Sequence, residues 1–194
     1  MIKFLVGAMV ALGMVSQARA EVQVNLDFQA IQQSAMMSAK AFTGLKWKVG
    51  DQADYKIAIG GFINGTSHTF VSKDEGAMIW EEEDMNLGMG QAQKVEIQFE
   101  KATGQVKKIL ANGQDQALPD SSKMKVIDMH EDNVTVVAGT FKCIYVKIHD
   151  SGTNQDQEAW INPQQIPLSG VLKVNGQSQF GPVTQELTKF SFAP

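Results

Sequence analysis

Apolar and polar residues alternate with period 2 along most of this chain, and turn signals interrupt the alternation at short intervals. Nothing else in the sequence limits the fold as much. Val95, Ile97 and Phe99 alternate with Lys94, Glu96, Gln98 and Glu100, which puts every apolar side chain on one face of a strand. Ala102-Thr103-Gly104 returns the chain through residues 106–110 and completes the clearest hairpin. Ala53, Tyr55, Ile57 and Ile59 repeat the alternation, and Asn64-Gly65 after them reads as a tight turn. Residues 66–72 and 77–85 pair across Lys73-Asp74-Glu75-Gly76. Further strands are predicted over 124–130, 134–138, 141–149, 157–162, 170–175 and 183–192, and the polar residues 111–123 form a long loop. Strands in this number, at this spacing, specify a large antiparallel sheet or barrel.

One segment follows a different period. Phe28, Ile31, Ala35, Ala39 and Phe42 fall on one helical face, Asn25 or Asp27 can cap its start, and Gly44 stands where a left-handed C-terminal residue belongs. Its apolar stripe is modest and needs a surface to lie against. The expected fold is therefore mainly β (α+β): a curved antiparallel sheet or incomplete barrel of about ten strands with one N-terminal helix packed on it.

Residues 1–20 set the compartment. Lys3 gives a positive start, residues 4–15 are uncharged and mostly apolar, and Ala18-Arg19-Ala20 is a small-x-small cleavage pattern. The apolar run is too short to span a bilayer, so this is a secretory signal with cleavage predicted after Ala20 and a periplasmic or secreted product. Residues 21–194 then form a single β-rich domain, with no later run long enough for a transmembrane helix. Removing Lys3 and Arg19 from the 17 basic residues leaves 15 against 21 acidic ones, a net charge of −6. That balance argues against nucleic-acid binding, which needs clustered Lys and Arg.

Catalytic signals are sparse. No serine lies in a Gly-x-Ser-x-Gly context, and His68, His130 and His149 read as ordinary strand or strand-end residues. Glu81-Glu82-Glu83-Asp84 lacks the ligand spacing of a calcium loop and reads as an exposed edge strand guarded by charge. Met85 and Met89 are spaced for a soft metal but lack the density of a copper tract. No metal, cofactor or enzymatic activity is expected. Cys143, the only cysteine, sits between Phe141 and Tyr145 and should be buried. Tyr55, Phe70, Trp80, Phe99, Phe141, Tyr145 and Trp160 spread over most of the strands and are the candidate lining of an apolar, ligand-binding concavity.

Two stretches are familiar. Trp47-Lys48-Val49-Gly50-Asp51-Gln52-Ala53-Asp54-Tyr55 resembles the opening strand of bacterial periplasmic domains of unknown function. Val137-Ala138-Gly139-Thr140-Phe141-Lys142, then Trp160-Ile161-Asn162-Pro163 and Ile166-Pro167-Leu168-Ser169-Gly170, resembles their ending. Those domains are similar to the lipoprotein-localisation (LolA/LolB-like) half-barrels, in which an incomplete antiparallel barrel wraps a helix and carries acyl chains. The resemblance implies a non-catalytic envelope protein that binds a lipid, an acylated protein or an exposed hydrophobic segment. The alternative is an envelope interaction module whose barrel is filled by its own side chains.

Overall fold

The computed structural model describes residues 44–88, 92–118, 121–178 and 180–194. They form one antiparallel sheet of eleven strands: β1 (Gln52–Ile59), β2 (Ile63–Glu75), β3 (Met78–Asn86), β4 (Gln93–Glu100), β5 (Val106–Ala111), β6 (Gln114–Asp115), β7 (Met124–Val136), β8 (Gly139–Asp150), β9 (Gln155–Ile161), β10 (Val171–Ser178) and β11 (Gly181–Ser191). The order across the sheet is β6-β5-β4-β3-β2-β1-β11-β10-β9-β8-β7. Two meanders are thus joined where the first strand meets the last, from Gln52↔Ser191 to Ile59↔Val183. Among the described residues the sheet does not close, and β6 and β7 are its edges.

Alternation determines what is buried. Ala53, Tyr55, Ile57 and Ile59 of β1 are at most 3% exposed, and Val95, Ile97 and Phe99 of β4 at most 2%. These residues share the inner face with Val146, Ile148, Ala159, Ile161, Val174 and Leu187. A bulge in β11 helps to curl the sheet. Thr188 is the extra residue between the Tyr55↔Leu187 and Asp54↔Lys189 pairs, and its hydroxyl donates to the Asp54 carbonyl at 2.9 Å. The Leu187 carbonyl, beside the bulge, accepts the Ala138 N–H at 3.2 Å. The tip of the β7–β8 hairpin is thereby tied across the inner face, which buries Val134 and Val136.

Several expectations are corrected. Residues 124–130 and 134–136 belong to one continuous strand, β7, because its ladder with β8 runs unbroken through Asn133↔Lys142, and residues 137–138 make the turn into β8. Asn64-Gly65 lies inside β2 rather than in a turn; Gly60 and Gly61, with φ of 61° and 77°, make that turn. The loop expected at 111–123 carries the short strand β6 and a 3-10 turn over Ser121–Lys123. The acidic run is not an edge: β3 pairs with β2 on one side and β4 on the other. Glu81 and Glu83 point inward, 1% and 4% exposed, while Glu82 faces outward and pairs with Lys94 at 2.7 Å. The helix expected at residues 28–42 lies outside the described residues, as does the signal. No helix among the described residues is long and apolar enough to cross a membrane.

Candidate functional site

A pocket of about 1070 Å³ opens at the end of the sheet where β1 begins and β9 finishes. Four pieces of chain, far apart in sequence, build it: residues 44–51, the facing parts of β7 and β8, the β9–β10 connection, and Phe192. Its apolar lining includes Leu45, Trp47, Ile144, Ile161, Ile166 and Leu168. Lys46, Asp51, Glu131, Asp132 and Lys142 supply the charge.

Each wall is fixed by hydrogen bonds. Asp51 is 3% exposed and fastens the first wall: its carboxylate accepts the Lys48 N–H at 2.8 Å and the Ala193 N–H at 2.9 Å, joining residues 44–51 to the chain after β11. The Leu45 N–H donates to the Lys101 carbonyl at 2.7 Å, and Trp47 meets the Phe99 ring edge-on at 5.1 Å. Asn162 organises the opposite wall. Its carboxamide oxygen accepts from the backbone of Gln164 and Gln165, and its amide nitrogen donates to the Lys142 carbonyl at 2.7 Å. Gly170, at φ 73°, allows the strand to leave this turn, because a Cβ there would sit 2.5 Å from Pro163. Leu168 has φ 61°, a costly conformation for a branched residue, yet its side chain is 2% exposed in the pocket wall.

Two of the acids, Asp51 and Asp132, are held as structure. Asp132 accepts the Trp160 indole N–H at 2.9 Å and the Asn133 N–H at 2.7 Å, and these bonds hold its carboxyl below the usual carboxylate range. Burial, and next the Asp132 charge, pushes the Cys143 thiol up, so it is a poor nucleophile. Cys143 is 7% exposed, as the sequence predicts.

None of the seven aromatic residues expected to line a concavity lines this pocket. Tyr55 and Phe99 lie in the inner-face core. Phe141 packs at the hairpin tip against Phe190, 6.2 Å between centroids. Phe70, Trp80, Tyr145 and Trp160 alternate onto the outer face, because their neighbours Val71, Ile79, Val146 and Ile161 point inward. Phe70 stacks on His68 there, and the Trp80 indole donates to Glu75. The sheet brings two of the seven together: Tyr145 and Trp160 are cross-strand partners 5.1 Å apart. They belong to a row running His130, Tyr145, Trp160, Lys173, Glu186, Lys56 across six strands. Burial, followed by its bond to Glu158, pushes the Tyr145 phenol up to about 12. The row is fully paired and shapes the outer face. Sequence reasoning missed the pocket's walls, whose only local sign was Asn162-Pro163 and Pro167 ending a strand.

The sequence matches no protein-family model and no curated protein. Among solved structures, the chain is similar to a protein classed as exported, with a YmcC-like fold, from Bacteroides fragilis NCTC 9343. The TM-score is 0.47 at 10% identity, covering 77% of this chain and 99% of that one. A protein classed as a lipoprotein from Parabacteroides distasonis ATCC 8503 gives 0.48 at 11%, covering 78% and 100%. MucB, solved in complex with MucA, gives 0.44 at 13%, covering 75% of this chain and 50% of MucB.

Proposed function

We propose that this is a non-catalytic, exported envelope protein that holds the apolar part of an amphiphile, such as a lipid or an acylated protein, in the pocket beside Trp47 and Leu168. The observation that carries this reading is the pocket itself: about 1070 Å³, largely apolar along its walls, with Asp51 and Asp132 occupied in holding those walls together. Burying an acyl chain there is worth about 0.8 kcal/mol per methylene, enough for useful affinity from part of one chain. In this reading the signal is removed after Ala20, the segment over residues 28–42 packs on the sheet as a helix, and the protein works in the periplasm or outside the cell.

Native mass spectrometry of the protein purified gently from its own compartment tests this. A discrete added mass, released by solvent as a lipid and absent from the folded variant Phe192→Asp, is the expected result. Phe192 suits the purpose because it lines the pocket and is 55% exposed, so a charge there leaves the fold intact. A bare mass, with no uptake when lipids are offered, would favour the self-filled interaction module. The near-zero exposure of the inner-face side chains speaks for that second reading.

A further inference from the structure

The two ends of the sheet differ in charge. At the pocket end, the β2–β3 hairpin carries Lys73, Asp74 and Glu75 and the β4–β5 connection Glu100, Lys101 and Lys107. They are bound to one another by Lys101–Asp74 at 2.7 Å and Lys107–Glu100 at 3.3 Å. Over one sector of the far end the pattern reverses. No Asp, Glu, Lys or Arg occurs in residues 57–72, 85–93 or 174–185, in a chain that is 20% charged. Their described residues, all but 89–91 and 179, lie at the ends of β1, β2, β3, β4, β10 and β11 that the strand order sets side by side. Three runs far apart in sequence therefore form one uncharged sector of the rim.

Two phenylalanines project from it. Phe62 is 67% exposed and Phe180 36% exposed. Their turns are fastened together: the Gly60 N–H donates to the Pro182 carbonyl at 2.8 Å, and a Cβ on Gly60 would lie 2.2 Å from the Phe180 carbonyl oxygen. Glycine at position 60 is what allows the tips to meet, so both rings stand on one rigid edge. Exposed uncharged polar residues, Asn64, Thr66, Asn86 and Gln177, surround them.

We propose that this rim rests on a lipid surface, with Phe62 and Phe180 at the headgroup–acyl boundary and the neighbouring amides and hydroxyls among the headgroups. Aromatic rings backed by uncharged polar groups suit that boundary, and no ion has to be desolvated on approach. The rim is a row of projecting tips rather than a recess, which suits insertion into a fluid layer. The pocket lies at the other end and stays open to solvent.

Flotation of the exported protein with vesicles of zwitterionic phosphatidylcholine tests the proposal. The protein is expected to float with the vesicles equally at low and high salt, since screening does not weaken apolar insertion. Replacing Phe62 and Phe180 by Ser should lower partitioning about tenfold per ring. Asn64→Glu, which keeps both rings and changes an exposed side chain, should lower it too; unchanged melting temperatures exclude misfolding. A wild-type protein that stays with the unbound fraction overturns the proposal, as does a double variant that floats like wild type. A concentration-dependent dimer abolished by the same substitutions would also overturn it, assigning the rim to a second copy of the chain.

Discussion

The inner face has two unlike flanks. Over β8, β9 and β10, Val146, Ile148, Ala159, Ile161, Val171, Leu172 and Val174 are all 0% exposed, and Asp150 and Gln157 are the buried polar residues of these strands. Over β2, β3 and β4, Ser67, Thr69, Glu81, Glu83 and Gln93 are buried on the same face. Ser67, Thr69 and Glu83 are tolerated there because they are paired: the Ser67 hydroxyl donates to the Glu83 carboxylate and lies 3.4 Å from the Thr69 hydroxyl. Tyr55 bridges the flanks from β1, its hydroxyl donating to the Val171 carbonyl at 3.3 Å. Burial holds its phenol far above the usual value, and the charges of Glu81 and Glu83 add to that effect. One flank is stabilised by packing, the other by packing around a fixed polar network. Period-2 burial requires a side chain to find a partner inside, and the partner need not be apolar.

Substitutions can break this contrast. Ile148→Ala on the apolar flank should cost about 3 kcal/mol, read as a lower chemical-denaturation midpoint, because nothing nearby can refill the space. Ser67→Ala on the polar flank should cost about 1–2 kcal/mol, as Glu83 loses a donor it cannot replace from water. If Ser67→Ala cost nothing, the polar flank would be no network at all. The outer face offers two milder tests. Trp160→Phe removes a hydrogen bond from Asp132, and its carboxyl should titrate closer to 3.8 in an NMR pH series. The sign follows from the direction of the shift. A carboxylate held below its unfolded value adds stability above that value and loses it as pH falls through the folded one, so the variant's stability should depend less on pH below about 4. Lys94→Ala should cost only a few tenths of a kcal/mol, since the ion pair with Glu82 is solvent-screened. The Glu82 pairing raises the lysine's pKa. That contribution is complete below the unfolded lysine value and disappears only as pH rises through the folded one.

Much of the fold was legible because alternation is local. Lys94 to Glu100, the hairpin into β5 and the burial of Cys143 all follow from short-range pattern. Period 2 tells which face a side chain takes but not where its strand sits in the sheet, and Glu81 shows the difference. As an edge residue it would meet solvent; between β2 and β4 it is enclosed. The same limit applies to the aromatics, since Tyr145 and Trp160 follow the alternation faithfully onto the outer face. The pocket was illegible for another reason. Asp51 bonding to Ala193 and Asn162 bonding to Lys142 are contacts between distant segments, and no local periodicity encodes them.

The pairing of β1 with β11 also determines how the sheet is assembled. Residues 52–115 form one meander and residues 124–178 another, each made of neighbouring hairpins that can zip locally. Between them stands β11, paired to both. Until that last strand docks, a chain emerging N-terminus first holds two unfinished sheets, with β1 and β10 as open edges able to pair with other chains. In synthesis from the N-terminus residues 181–191 follow every other strand, so β11 both completes the sheet and closes the edges through which the unfinished protein could aggregate.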